Sequence, residues 1–135
     1  MRSRSYGSQS MVGPLKRVLV RGPDEAFGTA DPVRWNYTSQ PDLAGARSEH
    51  EALVATLRDS GCEVIFHDAL LPDHADSIFT HDPVLVTDAG AIVLRMGKPQ
   101  RRGEEAAIAA TLDNLGVPIL ATLEDEATAE GGDLL

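Results

Sequence analysis

The apolar positions of this chain gather into short runs, separated by two longer stretches in which they recur with helical period. Val18-Leu19-Val20, flanked by basic residues and closed by Gly22-Pro23, predicts a short buried strand. Residues 23–40 hold Pro23, Gly28 and Pro32 with scattered aromatics (Phe27, Trp35, Tyr37) and predict a long surface loop. From Pro41 to Ser60, Leu43, Ala46, His50, Leu53, Ala55 and Leu57 fall at spacings close to three and four, which predicts a helix stopped by Gly61. Cys62 to Phe66 follows as a strand. Two apolar runs, Ile78 to Thr87 and Ala91 to Met96, flank Asp88-Ala89-Gly90 and predict a hairpin. A second helix is predicted from about Arg102 to Leu115 with Gly116 as its stop, then a strand over 117–121 and another beginning at Gly131.

The helix–strand pattern repeats. Ala55-Thr56-Leu57 with Gly61 and an apolar strand recurs as Ala110-Thr111-Leu112 with Gly116 and an apolar strand, and Glu49 and Ala52 match Glu104 and Ala107 at the same offset of 55 residues. Self-similarity at a fixed period signals stacked supersecondary units. The fold class is therefore α/β, read as part of a ring of β-α-β units with acidic residues at one end.

Composition narrows the function classes. The chain has 135 residues, 42% hydrophobic and 24% charged, which suits one globular domain (14–135) behind a polar, Ser/Gly-rich arm (1–13). A net charge of -9 argues against nucleic acid, whose phosphates want a basic face. Cys62 is the single cysteine, so no internal disulfide and no cysteine-based zinc site can form, as suits a reducing cytoplasm. No apolar stretch reaches the roughly 18 residues of a membrane span. The basic N-terminus has no apolar core behind it, so it does not read as a secretory signal, and a cytoplasmic location is expected.

Candidate chemistry lies in two acidic clusters and a basic turn. Asp76 and Asp82 are six residues apart, and on one regular strand they would share a face and bracket Ile78-Phe79. A carboxylate matches the paired N–H donors of a planar guanidinium, and an aromatic such as Phe79 can cover its face. The plainer reading is that Asp82 before Pro83 caps a turn and Asp76 is solvated. In Glu130-Gly131-Gly132-Asp133, glycine permits close backbone approach, so the flanking acids would point into whatever is approached; an acidic turn is the alternative. The turn from Met96 to Glu104 offers an arginine, Arg101 or Arg102, as a clamp for a substrate carboxylate; the alternative is a solvated basic turn before a helix with Glu104 and Glu105 in its first turn, favourable to the helix dipole. His67, His74 and His81 fall seven apart with Asp68, Asp76 and Asp82 nearby, yet none has the i, i+4 spacing of a helical metal site, and no metal or other cofactor is expected. Cys62 reads as a buried, inert thiol.

Three segments carry a family resemblance: Asp76-Ser-Ile-Phe79-Thr-His-Asp82-Pro83, then Leu94-Arg-Met-Gly-Lys-Pro-Gln-Arg101-Arg102, then Glu130-Gly-Gly-Asp133. In this order they resemble the guanidino-modifying (pentein) enzymes, which include arginine deiminases, dimethylarginine dimethylaminohydrolases and amidinotransferases. The resemblance implies a five-bladed α/β propeller of ββαβ units, of which about two fall in this chain. It implies that Asp82 holds a guanidinium, that Asp76 meets the amino-acid end of the substrate or the site wall, and that Arg101 takes the substrate carboxylate. Glu130 would be the catalytic acid that pairs with a histidine and the guanidinium, with Asp133 structural. The family reaction is attack of a cysteine thiolate on the guanidinium carbon with histidine protonating the leaving amine. The family's histidine and cysteine follow the second acidic motif, so the chain is expected to be the N-terminal portion of such an enzyme. The expected partners are an arginine or methylarginine substrate and a complementing C-terminal chain or a second copy. An amidinotransferase of the same superfamily, a non-catalytic guanidinium-binding or interaction module, and a His/Asp metal protein are the alternatives.

Overall fold

A computed structural model describes residues 6, 7 and 9–134. The predicted arm over 1–13 falls partly outside them, and its remaining residues carry neither helix nor strand. The chain divides into two compact units, Lys16–Phe79 and a second made of Thr80–Leu135 with Met1–Leu15.

In Lys16–Phe79, β1 (Arg17–Val20) leads through α1 (Glu25–Gly28), α2 (Pro32–Trp35) and the 17-residue α3 (Leu43–Asp59) to β2 (Glu63–Phe66). The two strands are parallel, in register from Arg17↔Glu63 to Val20↔Phe66. Each helix starts on an aspartate whose side chain accepts backbone N–H groups of the first turn: Asp24 from Phe27, Asp31 from Val33 and Arg34, Asp42 from Gly45. The expected surface loop over 23–40 thus holds two helical turns, and its aromatics turn inward. Trp35 and Ala30 are buried against Ala75, with Tyr37 packed beside them. Four residues are too few to display a helical period, so only the aspartate caps and Pro32 announced these turns.

Residues 75–78 form a single 3-10 turn rather than the start of a strand. The Ser77 hydroxyl accepts from Arg21 Nε at 2.9 Å, while Arg21 Nη1 donates to the carbonyls of His67 (3.0 Å) and Ala69 (2.7 Å) and Nη2 meets Asp24 (2.9 Å). One buried guanidinium thereby ties the ends of β1 and β2 to this turn. Asp76 and Asp82 consequently do not alternate along one strand, and the shared-face argument for that pair does not apply.

In the second unit, β3 (Val84–Thr87) and β4 (Gly90–Val93) form the predicted hairpin around Asp88-Ala89, and α4 (Glu104–Asn114) crosses over to β5 (Ile119–Thr122), which lies parallel to β4. Val84, Ala91, Val93, Ile108, Leu112 and Val117 are buried in this unit. The predicted strand from Gly131 is a 3-10 turn over Gly131–Asp133, because the Asp133 carboxylate folds back to accept from the Glu130 amide at 3.0 Å. Leu135, at the end of that predicted strand, lies outside the described residues.

Each unit therefore contains a parallel strand pair bridged by a helix, the element that recurs along the sequence. The architecture is a mixed α/β fold with sheets of two and three strands, and no sheet closes on itself among the described residues. No helix among them is long and apolar enough to cross a membrane.

Candidate functional site

The five candidate residues divide between the units, Asp76 and Phe79 in one and Asp82, Arg101 and Glu130 in the other. Asp76 is buried at 3% exposure and accepts a hydrogen bond from the Tyr37 hydroxyl at 2.6 Å. It is thus neither solvated nor displayed on a strand. Phe79 is half exposed just beyond the 3-10 turn.

The second unit draws its three motifs into one hydrogen-bonded circuit. Arg101 sits on a 3-10 turn over Pro99–Arg101 that ends the strand-to-helix connection. Its Nη1 donates to Asp82 Oδ2 at 2.7 Å. Its Nε reaches both Glu104 oxygens at 3.1 Å, and Nη2 reaches Glu104 Oε2 at 2.7 Å. Glu130 is held on the other side of that connection, where its Oε1 accepts from the Gly97 amide at 3.1 Å. Gly131 then closes the circuit by donating its amide to the Asp82 carbonyl at 2.9 Å. A Cβ on Gly131 would collide with the His81 carbonyl oxygen, so the residue is glycine because two backbones touch.

Exposure separates the members of the circuit. The side chains of Arg101 and Glu104 are 4% and 3% exposed, whereas that of Asp82 is 25% exposed. Among the described residues Asp82 Oδ1 has no hydrogen-bond partner, so one carboxylate oxygen is anchored and the other is presented. Burial alone would favour a neutral Arg101, but the hydrogen bonds and charges of Glu104 and Asp82 outweigh it and raise the guanidinium well above its ordinary pKa. Among these three side chains two carboxylates face one guanidinium, a net negative charge for the trio. Such a site attracts a cation and offers it an oriented acceptor.

Arg101 is engaged by two internal carboxylates, where the resemblance implies a clamp for a substrate carboxylate. Two partners escaped the sequence reading. Glu104 read only as a favourable charge in the first turn of a helix, although its i+3 spacing from Arg101 was visible. Tyr37 lay in the segment read as loop, 39 residues from Asp76, with no local signal.

Of the remaining candidates, His67 and Cys62 belong to Lys16–Phe79, and His81 adjoins Asp82 in the second unit. His67 and Cys62 are buried, the latter with its Sγ 3.6 Å from the Glu63 carbonyl oxygen. Among the described residues no three His, Cys, Asp or Glu side chains gather as metal ligands. A shallow groove of about 410 Å³ lies in Lys16–Phe79, lined by Arg47, His50, Arg58 and Phe66 among others. None of the five candidates lines it, and the oriented carboxylate of Asp82 is the better guide to chemistry.

Residues 31–135 match the family described as N,N dimethylarginine dimethylhydrolase, eukaryotic. The chain is 31% identical over 123 residues to the N(G),N(G)-dimethylarginine dimethylaminohydrolase of Pseudomonas aeruginosa, an alignment that covers 90% of this chain and 46% of the relative. It is 32% identical over 108 residues to the arginine deiminase of Clostridium perfringens, covering 78% of this chain and 25% of that protein. A solved structure of the Pseudomonas aeruginosa enzyme, a mutant complexed with citrulline, superposes with a TM-score of 0.74 at 28% identity, over 90% of this chain and 46% of that one. The chain thus spans less than half the length of these relatives. The match over residues 31–135 contains all five candidate positions, and by it the chain belongs to the N,N-dimethylarginine dimethylhydrolase family, within the guanidino-modifying superfamily that its motifs resemble.

Proposed function

We propose that this chain is the N-terminal portion of a guanidino-group hydrolase acting on arginine or methylated arginine, and that it supplies the carboxylates that grip the guanidinium. The observation that carries the reading is the Asp82 carboxylate, partly exposed, with one oxygen tied to Arg101 and the other presented. A guanidinium is a poor electrophile because its charge is delocalised, so a hydrolase must hold it in plane and protonate the departing nitrogen. Asp82 would accept from the substrate's N–H groups, and Glu130, whose neighbour Gly131 donates its amide to the Asp82 carbonyl, would serve as the acid of the site. Phe79, as an aromatic, would cover a face of the guanidinium, and by resemblance Asp76, held by Tyr37, would meet the amino-acid end of the substrate or the site wall. The cysteine thiolate and the histidine of the reaction are assigned to a longer protein or to a complementing chain. The larger architecture would be the propeller, with about two ββαβ units contributed here.

Relatives support the ligand class: the Pseudomonas aeruginosa enzyme has been solved with citrulline, and a dimethylarginine dimethylaminohydrolase has been solved as an adduct with S-methyl-L-thiocitrulline. Titration calorimetry of the chain with arginine and with dimethylarginine tests the reading. Saturable binding is expected, weakened tenfold to a hundredfold in Asp82→Asn, since hydrogen bonds to charged groups contribute about 1.5–3 kcal/mol. No saturable heat from either compound sinks the proposal. Citrulline formation is expected only when a polypeptide carrying the histidine and cysteine is added.

A further inference from the structure

We propose that Glu104 is a positioning residue of the guanidinium site: it absorbs the charge of Arg101 and fixes that side chain's plane, so that Asp82 stays an oriented, uncompensated anion. The inference rests on the reading just given and adds to it a residue that touches no substrate.

The geometry divides the labour within the cluster. Glu104 closes the Nε–Nη2 edge of Arg101 with contacts of 3.1, 3.1 and 2.7 Å. A carboxylate on that edge fixes the guanidinium plane, because both groups are planar and the match is two-pronged. Nη1 is then aimed at Asp82 Oδ2 at 2.7 Å, which in turn fixes the Asp82 carboxylate. Both Arg101 and Glu104 are buried, so their charges meet little solvent screening. A lone Arg101–Asp82 pair would be neutral overall, and a neutralised aspartate attracts a cationic ligand weakly. With Glu104 present, Arg101 is already matched, and the charge of Asp82 remains available at its exposed oxygen.

The alternative is a purely structural Glu104, one that anchors the first turn of α4 and no more. The two roles separate when a charged ligand is compared with its neutral isostere. Arginine and citrulline differ by the charge at the site, so loss of an uncompensated anion weakens arginine selectively, whereas loosened structure weakens both together.

The experiment is calorimetric titration of the chain with arginine and citrulline, in wild type, Glu104→Gln and Glu104→Asp. The expected result is that Glu104→Gln weakens arginine about tenfold with citrulline unchanged, the loss of one nearby charge in a partly screened site. Glu104→Asp, which keeps the charge, is expected to restore most of the preference for arginine. Equal weakening of both ligands, or no weakening of either, overturns the role of Glu104 and leaves the proposed function standing. A wild-type chain that binds neither ligand overturns both. A measurement on the unaltered chain covers the case in which Glu104→Gln does not fold: proton exchange at Arg101 Nε, followed by nitrogen-15 NMR. Exchange much slower than in free arginine is expected. Exchange at the free rate means that Glu104 does not hold that edge in solution, and the inference fails.

Discussion

At the scale of single residues, the Arg101 cluster should fail asymmetrically when one member is removed. Arg101→Met leaves the Glu104 carboxylate buried without its cation, and breaking a buried pair in that way costs about 3–5 kcal/mol. Urea unfolding should show that loss as a lowered midpoint; a change below about 1 kcal/mol would mean that the pair is not formed in solution. His67 offers a second test. It is buried, its imidazole pKa is lowered first by desolvation and then by the charge of Arg21, and Asp68 only partly offsets these effects. The folded chain therefore holds a neutral imidazole where the unfolded chain would take a proton at its ordinary value of 6.5. The unfolded state binds more protons in that interval, so the stability from this residue is full above pH 6.5 and is lost as pH falls through the lowered folded value. An NMR titration of His67 should give a midpoint below 6.5, and one at or above it would refute the assignment. The sequence exposed the acidic and glycine motifs because their residue types are unusual in combination. It could not expose Glu104 as a partner, since a glutamate in a first helical turn is common and only the third dimension shows which cation it meets.

Among the elements, α3 was the most legible, because 17 residues give the apolar period room to repeat and both ends carry a signal. Its caps should be separable energetically. Asp42 accepts from the Gly45 amide at 3.2 Å, and Asp42→Ala should cost about 1 kcal/mol. Gly61, just beyond the helix, has a φ of +86° and nothing within 4 Å of an added Cβ, so Gly61→Ala should cost about 1 kcal/mol through backbone strain alone. Chemical denaturation of both variants checks these losses. A neutral Gly61→Ala would show that the chain reverses there without a left-handed residue. The hairpin and the second helix were legible for the same reason of repetition. The 3-10 turns at Ala75–Ile78 and Gly131–Asp133 were not, because apolar or glycine-rich runs of a few residues suit strand and turn equally. The deciding contacts, Arg21 to Ser77 and Gly131 to Asp82, are 56 and 49 residues distant in sequence.

For the molecule as a whole, two opposing features govern behaviour in solution. β5 is an edge strand with Ile119 and Leu120 exposed at 37% and 49%, and such a strand invites pairing with another chain. The net charge of -9 opposes that pairing between copies, because like-charged chains repel until salt shortens the reach of their fields. The Debye length falls from about 30 Å at 0.01 M to about 3 Å at 1 M ionic strength, so repulsion should dominate at low salt and apolar association at high salt. Sedimentation velocity should therefore find a monomer in dilute buffer and concentration-dependent association in molar sodium chloride. Leu120→Lys should suppress that association, since it places a charge on the exposed strand. A guanidinium ligand gripped at Asp82 should leave it unchanged. A monomer at every salt concentration would mean that the exposed residues of β5 do not template pairing, and dissociation on adding salt would mean that charge, and not the apolar strand, joins the copies.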